Sequence, residues 1–466
     1  MALKNTHYGA VRIAELLKSC HSLFFIGIGG ISMSSLAEIS LKEGFLVGGS
    51  DRTQNAHVDH LASIGAQVHI GHAAENVDGY DAVIYTVAIG EDNPEYVAAI
   101  SRGLPVISRA DYLGYLMMRY RRRIGISGMH GKSTCTAMCA HIFLEAADPT
   151  VLCGAELSDL GGSTCRIGDA REHFVFEACE YMDSFLDFSP TLAVILNIDL
   201  DHVDYFKSIE QVRASFLEYA ERTGRDGRVL YNADDPECVF AMHDFSGTAL
   251  TFGIENEADY RAKNIHINGV SSSFDLYCRD LFLCSITLPV PGKHSIYNAL
   301  AASASAIMCG IAIDKIATAL ATFRNAGRRM ERKGSLNGAE VYDDYGHHPV
   351  EIRATLTVAK EMGYRRVICA YQPHTYSRTA GLWQSFTESL SLADKVFLVD
   401  IYAAREQNLY GVSSCLLSES IGEKATYCES FACLAKALSK DVGEGDLVII
   451  MGAGDIFHVF EQLDLK

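Results

Sequence analysis

The stretch Ile124-Gly125-Ile126-Ser127-Gly128-Met129-His130-Gly131-Lys132-Ser133-Thr134 passes from a short apolar strand through a glycine loop into a helix. This is the order of a phosphate-binding loop. Glycines let backbone N–H groups curl around a phosphate, and the helix N-terminus adds partial positive charge. Lys132 can then reach the outer phosphates, and the Ser133 hydroxyl can ligate Mg²⁺. The match is a shortened one, because Ser127 stands where the full pattern has its first glycine and Gly128 comes one place later. A plain turn is the competing reading.

Working outward, short apolar runs that end in Gly or Asp alternate with helical patterns, as a mostly parallel sheet requires. Three such series are visible, giving an α/β protein. The first runs from the strand Leu23 to Ile28 through Gly27, Gly29 and Gly30 into a helix reaching about Lys42. Strands follow that end near Asp51, at Gln67 to Ile70, at Ala82 to Thr86 and at Val106 and Ile107. The basic stretch Arg119 to Arg123 reads as a linker or a solvated helix end. The second series holds the quoted loop, strands Phe174 to Glu177 and Leu192 to Ile198, and a strand-rich excursion from about Ala249 to Val290. The third runs from Gly327 through Val341 to Asp344, Val367 to Tyr371, Val396 to Val399 and Leu447 to Met451. The corresponding domain boundaries are 1–120, 121–326 and 327–466.

Charged groups gather where these strands end. Glu177 and Glu180 close one strand at the carboxyl edge of the sheet, where open α/β sheets bind ligands. Asp199, Asp201, His202 and Asp204 follow another, and so many carboxylates call for a cation or a basic partner. The Gly27-x-Gly29-Gly30 turn, with Asp51 at the distance of a ribose-binding acid, suggests a diphosphate-bearing nucleotide, although Ser32 takes the place of the third glycine. In Asp343-Asp344-Tyr345-Gly346-His347-His348-Pro349 adjacent histidines hint at metal, yet sequence neighbours seldom point the same way. The segment Gln372 to Arg378 follows the strand that ends at Tyr371, and there the fork of Arg378 can grip a carboxylate or phosphate.

Composition bounds the whole. The chain has 466 residues, 48% of them apolar and 21% charged, with formal charge −18, which argues against a grip on nucleic acid. The fourteen scattered cysteines read as reduced thiols of a cytosolic protein. The window Ser295 to Ile313 is rich in Ala and Ser and contains Asn298, so it reads as a packed helix, and no membrane segment is expected.

Taken together, the motifs resemble the Mur ligases, and among them the alanine-adding kind. The likeness runs over nearly the whole chain: Phe25 to Ser34, Gly128 to Thr134, Glu177 to Glu180 with Asp183 to Leu186, Asn197 to Asp204, Pro291 to His294 with Asn298, Gly327 to Arg329, Asp343 to Pro349, Gln372 to Thr379, Asp400 to Ala404 and Gly452 to Asp455. The resemblance implies a Rossmann-like UDP-sugar-binding domain, a central ATPase-type domain and a Rossmann-like C-terminal domain that helps bind the amino acid. It also implies ATP and Mg²⁺ as cofactors, and UDP-N-acetylmuramate and L-alanine as substrates joined through an acyl phosphate. A monomer or homodimer is expected, with neither nucleic acid nor membrane as a partner.

Carried over residue by residue, Gly128, Met129, His130, Gly131, Lys132, Ser133 and Thr134 would hold the ATP phosphates. Ser133 and Glu177 would hold one Mg²⁺ and His202 a second. His294 and Asn298, with Arg329 and Asp344, would clamp the nucleotide between domains. Gly27, Gly29, Gly30, Ser32 and Asp51 would hold the UDP-sugar, and His347, His374 and Arg378 would orient alanine and the muramoyl end. Met129, Ser133, Ser32 and Thr375 depart from the family pattern. Phe216 stands where later-acting relatives carry a carbamylated lysine. Lys132 is expected to be a solvent-facing loop residue that holds no core together. A nicotinamide-dependent oxidoreductase built on the first glycine turn and a non-catalytic nucleotide-binding regulator are the alternatives.

Overall fold

The computed structural model describes residues 3–202, 205–404 and 406–466, so Asp204 of the acidic cluster lies outside the described residues. The chain divides into two compact units. One comprises residues 1–198, 212–259 and 301–315, and the other residues 199–211, 260–300 and 316–466.

The first unit holds two sheets. Strands β1 (Ser22–Ile26), β2 (Leu46–Asp51), β3 (Gln67–Ile70), β4 (Ala82–Tyr85) and β5 (Val106–Ser108) form a parallel sheet in the order β3-β2-β1-β4-β5. β1 is buried at every position, as its unbroken apolar run requires of a central parallel strand. Further along come β6 (Arg122–Ser127), β7 (Thr150–Leu157), β8 (Ser163–Arg166), β9 (His173–Glu177), β10 (Leu192–Ile195), β11 (Arg228–Asn232) and β12 (Thr248–Gly253). These run in the order β12-β11-β10-β6-β9-β7-β8, parallel except for β7 against β8. β6 is central, so the loop after it opens at the carboxyl edge between its two neighbours β10 and β9.

The second unit contains an antiparallel meander, β13 (Tyr260–Ile267), β14 (Ser272–Cys278) and β15 (Leu281–Leu288). It also contains a six-stranded sheet of β16 (Glu331–Leu336), β17 (Ala339–Asp344), β18 (Arg366–Tyr371), β19 (Lys395–Leu398), β20 (Ala425–Tyr427) and β21 (Asp446–Met451). The order is β16-β17-β21-β18-β19-β20, with only β16 antiparallel to its neighbour. The Asp344 and Gln372 loops thus leave the same edge of the sheet, flanking β21.

Several expectations change in detail. The basic stretch spans the turn between the helix Arg109–Met117 and β6: Arg122 and Arg123 are already in β6, Arg119 pairs with Glu43, and Arg121 is exposed. Arg123 Nε donates to Ser189 O at 2.6 Å. The strand expected to reach Ile198 stops at Ile195, because Asn197 turns its backbone and side chain to the loop after β6. Strands β7, β8, β11, β16 and β20 were not foreseen. The Ala/Ser-rich window is a packed helix, Lys293–Met308, in which Ala301, Ala302, Ser303, Ala304, Ser305 and Ala306 are fully buried. No helix among the described residues is long and apolar enough to cross a membrane, and no disulfide links the cysteines.

Candidate active site

The loop after β6 enters the helix Lys132–Ala146 through Gly131, whose φ of +81° is a left-handed conformation that glycine adopts without strain. The first-turn amides of Lys132, Ser133 and Thr134 have no intrahelical acceptor and carry the positive end of the helix dipole. Asn197 clamps the loop from the end of β10. Its Oδ1 accepts from His130 N at 2.8 Å, its Nδ2 donates to His130 O at 2.9 Å, and its own carbonyl accepts from Met129 N at 3.3 Å. The sequence marked this asparagine only as part of a motif. Met129, the apolar departure, is buried beneath the loop.

Lys132 is not solvent-facing, contrary to expectation. Its ammonium donates to Gly128 O at 2.5 Å and Met129 O at 3.2 Å, and pairs with the fully buried Glu180 at 2.9 Å. Burial alone would lower the lysine's pKa, but the Glu180 carboxylate more than compensates, so the net shift is upward and Lys132 stays charged. The apolar strand β9 sets both acids of Glu177-Ala178-Cys179-Glu180 at the sheet edge, and the fold divides their labour. Glu180 neutralises the lysine, while Glu177 accepts from Gly154 N at 2.7 Å and from Cys153 Sγ at 3.1 Å. The same Cys153 thiol lies 3.8 Å from Ser133 O, which brings the Ser133 and Glu177 positions together. A hydroxyl and a carboxylate at one strand edge are the hard oxygen donors that Mg²⁺ takes.

In the second unit, Arg378 forms a fork with Asp201, Nε to Oδ1 at 3.0 Å and Nη2 to Oδ2 at 3.2 Å, both residues being buried. Burial raises the Asp201 pKa, but Arg378, His202 and His348 outweigh it, so the net shift is downward. The fork expected to meet a substrate anion is therefore engaged by a carboxylate 177 positions away. Nη1 also lies 3.3 Å from His374 Nδ1, and the His374 ring is 5.9 Å from that of His347 and stacks on Tyr402 at 5.4 Å. Burial lowers His347 to about 3 and His374 to about 4, so both imidazoles are neutral at neutral pH. The adjacent His348 instead caps the helix Pro349–Glu361, accepting from Val350 N while Glu351 accepts from His347 N and His348 N. His202 has a φ of +50°, unusual for a residue with a side chain.

Asp344 lies nearby at the end of β17. Its oxygens accept from Gly346 N at 2.8 Å and Met330 N at 2.9 Å, and burial pushes its pKa up to about 6 against the neighbouring Arg329 charge. Arg329 Nε is buried with no hydrogen-bond partner, which suits a guanidinium awaiting an anionic ligand. Asn298 is buried and His294 exposed, both on the first turns of the helix Lys293–Met308.

Three family models match the chain in order: Mur ligase family, catalytic domain, over residues 23–121; Mur ligase middle domain over 126–306; and Mur ligase, glutamate ligase domain, over 328–454. A UDP-N-acetylmuramate–L-alanine ligase of Clostridium novyi is 45% identical over 442 residues, 94% of this chain and 96% of that protein. This chain belongs to the Mur ligase family. A UDP-N-acetylmuramate–L-alanine ligase of Clostridium acetobutylicum is 44% identical, covering 96% of this chain and 98% of that one. The crystal structure of a UDP-N-acetylmuramate-alanine ligase from Thermotoga maritima superposes with a TM-score of 0.79 at 27% identity, covering 95% of this chain and 97% of that one.

In this Mur ligase the Phe216 position is apolar core. The ring is buried and packs edge-on against Phe185 at 5.2 Å, in surroundings that would penalise a carbamate's charge. Beside the first glycine turn, Asp51 at the end of β2 accepts from Gly29 N through Oδ2 at 2.9 Å. Residues that motif reading left without a role are Asn197, Glu180 as partner of Lys132, Cys153 and Arg109. Only the fold gives them neighbours.

Two expected results follow from this geometry. Asn197→Ala is expected to weaken ATP binding roughly tenfold, from the loss of the hydrogen bonds that hold the loop, measured by calorimetry. An unchanged affinity would show that the loop keeps its shape without the clamp. The second result concerns acid. His347 and His374 have folded pKa values below the unfolded value of about 6.5, so the unfolded chain binds more protons between pH 6.5 and 4. Their contribution to stability is complete above about pH 6.5 and is lost as pH falls towards 4, by on the order of 3 kcal/mol for each. Asp344, raised to about 6, acts in the opposite sense, its share falling as pH rises from about 4 to 6. Urea unfolding of the wild type and His347→Gln across this range isolates the histidine share, and the variant should show the shallower acid slope. Equal slopes would mean that His347 takes up its proton without resistance from the fold.

Proposed function

We propose that this chain joins L-alanine to the lactyl carboxylate of UDP-N-acetylmuramate at the expense of ATP, in the cytoplasm, as a step of peptidoglycan precursor synthesis. The observation that carries this reading is the charged phosphate loop, with Lys132 held by Glu180, in a chain 45% identical over almost its whole length to an enzyme named for that reaction. The family-model matches support domain boundaries near residues 120 and 326.

In the first step a carboxylate oxygen of the sugar acid attacks the γ-phosphorus of ATP, forming an acyl phosphate as ADP leaves. Lys132 and the first-turn amides of its helix are the donors for the transferring phosphoryl group. Ser133 and Glu177 would hold Mg²⁺, and His202 a second ion. Bound magnesium neutralises phosphate charge, which is needed when two anions are brought together. Arg329, with His294, Asn298 and Asp344, is proposed for the nucleotide. In the second step the alanine nitrogen attacks the acyl carbon, phosphate departs and the amine loses a proton. The neutral imidazoles of His347 and His374 are groups able to accept a proton, and the Arg378 cation beside His374 suits the alanine carboxylate.

The decisive experiment is phosphate release from ATP with UDP-N-acetylmuramate, Mg²⁺ and each of several amino acids in turn. Release stimulated by L-alanine, with the amide product found by mass spectrometry, is the expected result. Release indifferent to the amino acid, or ATP binding without release, would overturn the reading.

A further inference from the structure

Residues 3–8 precede the helix Gly9–Leu16 and lie ahead of the stretch that the family models match, which starts at residue 23. They form a strap with two sets of anchors. The first set lies in the matched stretch 23–121. Leu3 is buried in a core with Phe24, Ile26 and Val83, and Lys4 O accepts from Tyr85 Oη at 2.5 Å. Thr6 N donates to Ser108 Oγ at 3.1 Å and Thr6 Oγ1 donates to Asp111 Oδ2 at 2.7 Å, while Tyr8 N and Gly9 N also donate to Asp111, at 2.6 and 3.0 Å. The second set lies in the matched stretch 126–306. Asn5 Nδ2 donates to Met182 O and to Ser184 Oγ, both at 3.3 Å, and His7 Nδ1 lies 2.6 Å from Asp187 Oδ1.

The turn that receives this second set, Tyr181–Asp187, begins at the residue after Glu180, the carboxylate that holds Lys132. Glu180 O accepts from Asp183 N at 2.9 Å, so the turn and the acid move together. Met182 and Asp183 both have φ of +54°, and two successive left-handed residues with side chains are unfavourable unless their surroundings hold them. Asn5 ties the Met182 carbonyl, and Ser215 Oγ donates to Asp183. The helix Arg109–Met117 closes on the turn through Gly114, where a Cβ would lie 2.1 Å from Asp187 O. The Asp187 side chain is 3% exposed, and its Oδ2 has no hydrogen-bond partner among the described residues. Burial pushes its pKa up to about 6, against the pull of His7; the other charges that face it are Asp111, Arg109 and Arg222. His7 is therefore the hydrogen-bonded partner of a carboxylate that the fold has otherwise taken out of water.

We propose that the strap of residues 3–8 positions the turn Tyr181–Asp187, and through it Glu180 and Lys132, for phosphoryl transfer, with Asn5 and His7 as the positioning residues. This rests on the ligase reading given above. A donor aimed at a transferring phosphoryl group works only within a fraction of an ångström of its place, and that place depends on the groups that lock it. Lys132 is locked by Glu180, Glu180 is joined to a strained turn, and the strap fastens that turn to the first sheet and its helix from some 180 positions away in sequence.

Steady-state phosphate release by the full chain, with UDP-N-acetylmuramate, ATP and L-alanine varied in turn, tests this alongside hydrogen exchange of the amides of residues 181–187. Asn5→Ala and His7→Gln are each expected to lower kcat roughly threefold to tenfold, the scale of a lost hydrogen bond, with all three KM values within about twofold of the wild type and faster exchange in the turn. Asn5→Asp, which sets an acceptor against the Met182 carbonyl, should fall at least as far. Unchanged kcat in Asn5→Ala and His7→Gln overturns the proposal even if urea stability drops, because the strap would then only fasten the fold. A raised KM for one substrate with kcat retained also overturns it, since the strap would then belong to a binding surface. If Asn5→Ala does not fold, His7→Gln decides on the same terms, its ring being half exposed. A wild type that releases no phosphate with any amino acid would sink the ligase reading and leave exchange as the judge of the strap. Faster exchange at 181–187 in His7→Gln, with the helix Arg109–Met117 as protected as before, would then support it, and unchanged exchange would refute it.

Discussion

Lys132→Ala is expected to lower turnover by roughly 10³-fold or more, because it removes the cation that meets charge developing on the transferring phosphoryl group. The structure adds a second consequence that motif reading had excluded. Glu180 is fully buried with the lysine ammonium 2.9 Å away, so the alanine variant strands a carboxylate inside the protein. Breaking such a pair costs about 3 kcal/mol or more. The two effects separate in the double variant Lys132→Ala/Glu180→Gln, which should regain much of the stability in urea and none of the phosphate release. A single variant that forms product at a near-normal rate would remove Lys132 from the chemistry. A double variant no more stable than the single one would remove Glu180 from the stability argument.

The second large effect is expected at the Arg378–Asp201 fork. Both side chains are buried, and losing either partner should cost roughly 3–5 kcal/mol. Arg378→Lys keeps the charge but cannot reproduce two parallel N–H donors, so it is expected to remain impaired. Kinetics distinguish recognition from scaffolding. If the guanidinium both pairs with Asp201 and faces the alanine carboxylate, Arg378→Lys should raise KM for L-alanine at least ~10-fold while KM for ATP stays near that of the wild type. A fall in kcat alone, with both KM values unchanged, would confine Arg378 to holding Asp201 and His374 in place.

The parts of the site legible in the sequence are those whose chemistry is local. A loop whose glycines, lysine and serine sit on consecutive positions between a strand and a helix declares itself, since every participating group is within a few residues of the others. The same holds for the apolar runs that became β1, β9 and β18, whose unbroken burial belongs to parallel strands. The unforeseen strands are a different kind of case. β7 is exposed or partly exposed from Gly154 to Glu156, β8 and β20 are short, and β16 reads Glu-Arg-Lys-Gly-Ser-Leu, which no apolar period would mark. They take their conformation from the strands they pair with.

The sequence alone determined the α/β class, the three series of strands and the strand–loop–helix run around Lys132, because short-range periodicity and backbone conformation are written in neighbouring residues. Tertiary structure alone decided which charges meet. It gave Lys132 to Glu180, Arg378 to Asp201 and His7 to Asp187. A buried charge is satisfied by whichever group the folded chain brings within about 3 Å, and separation along the sequence carries no record of that distance.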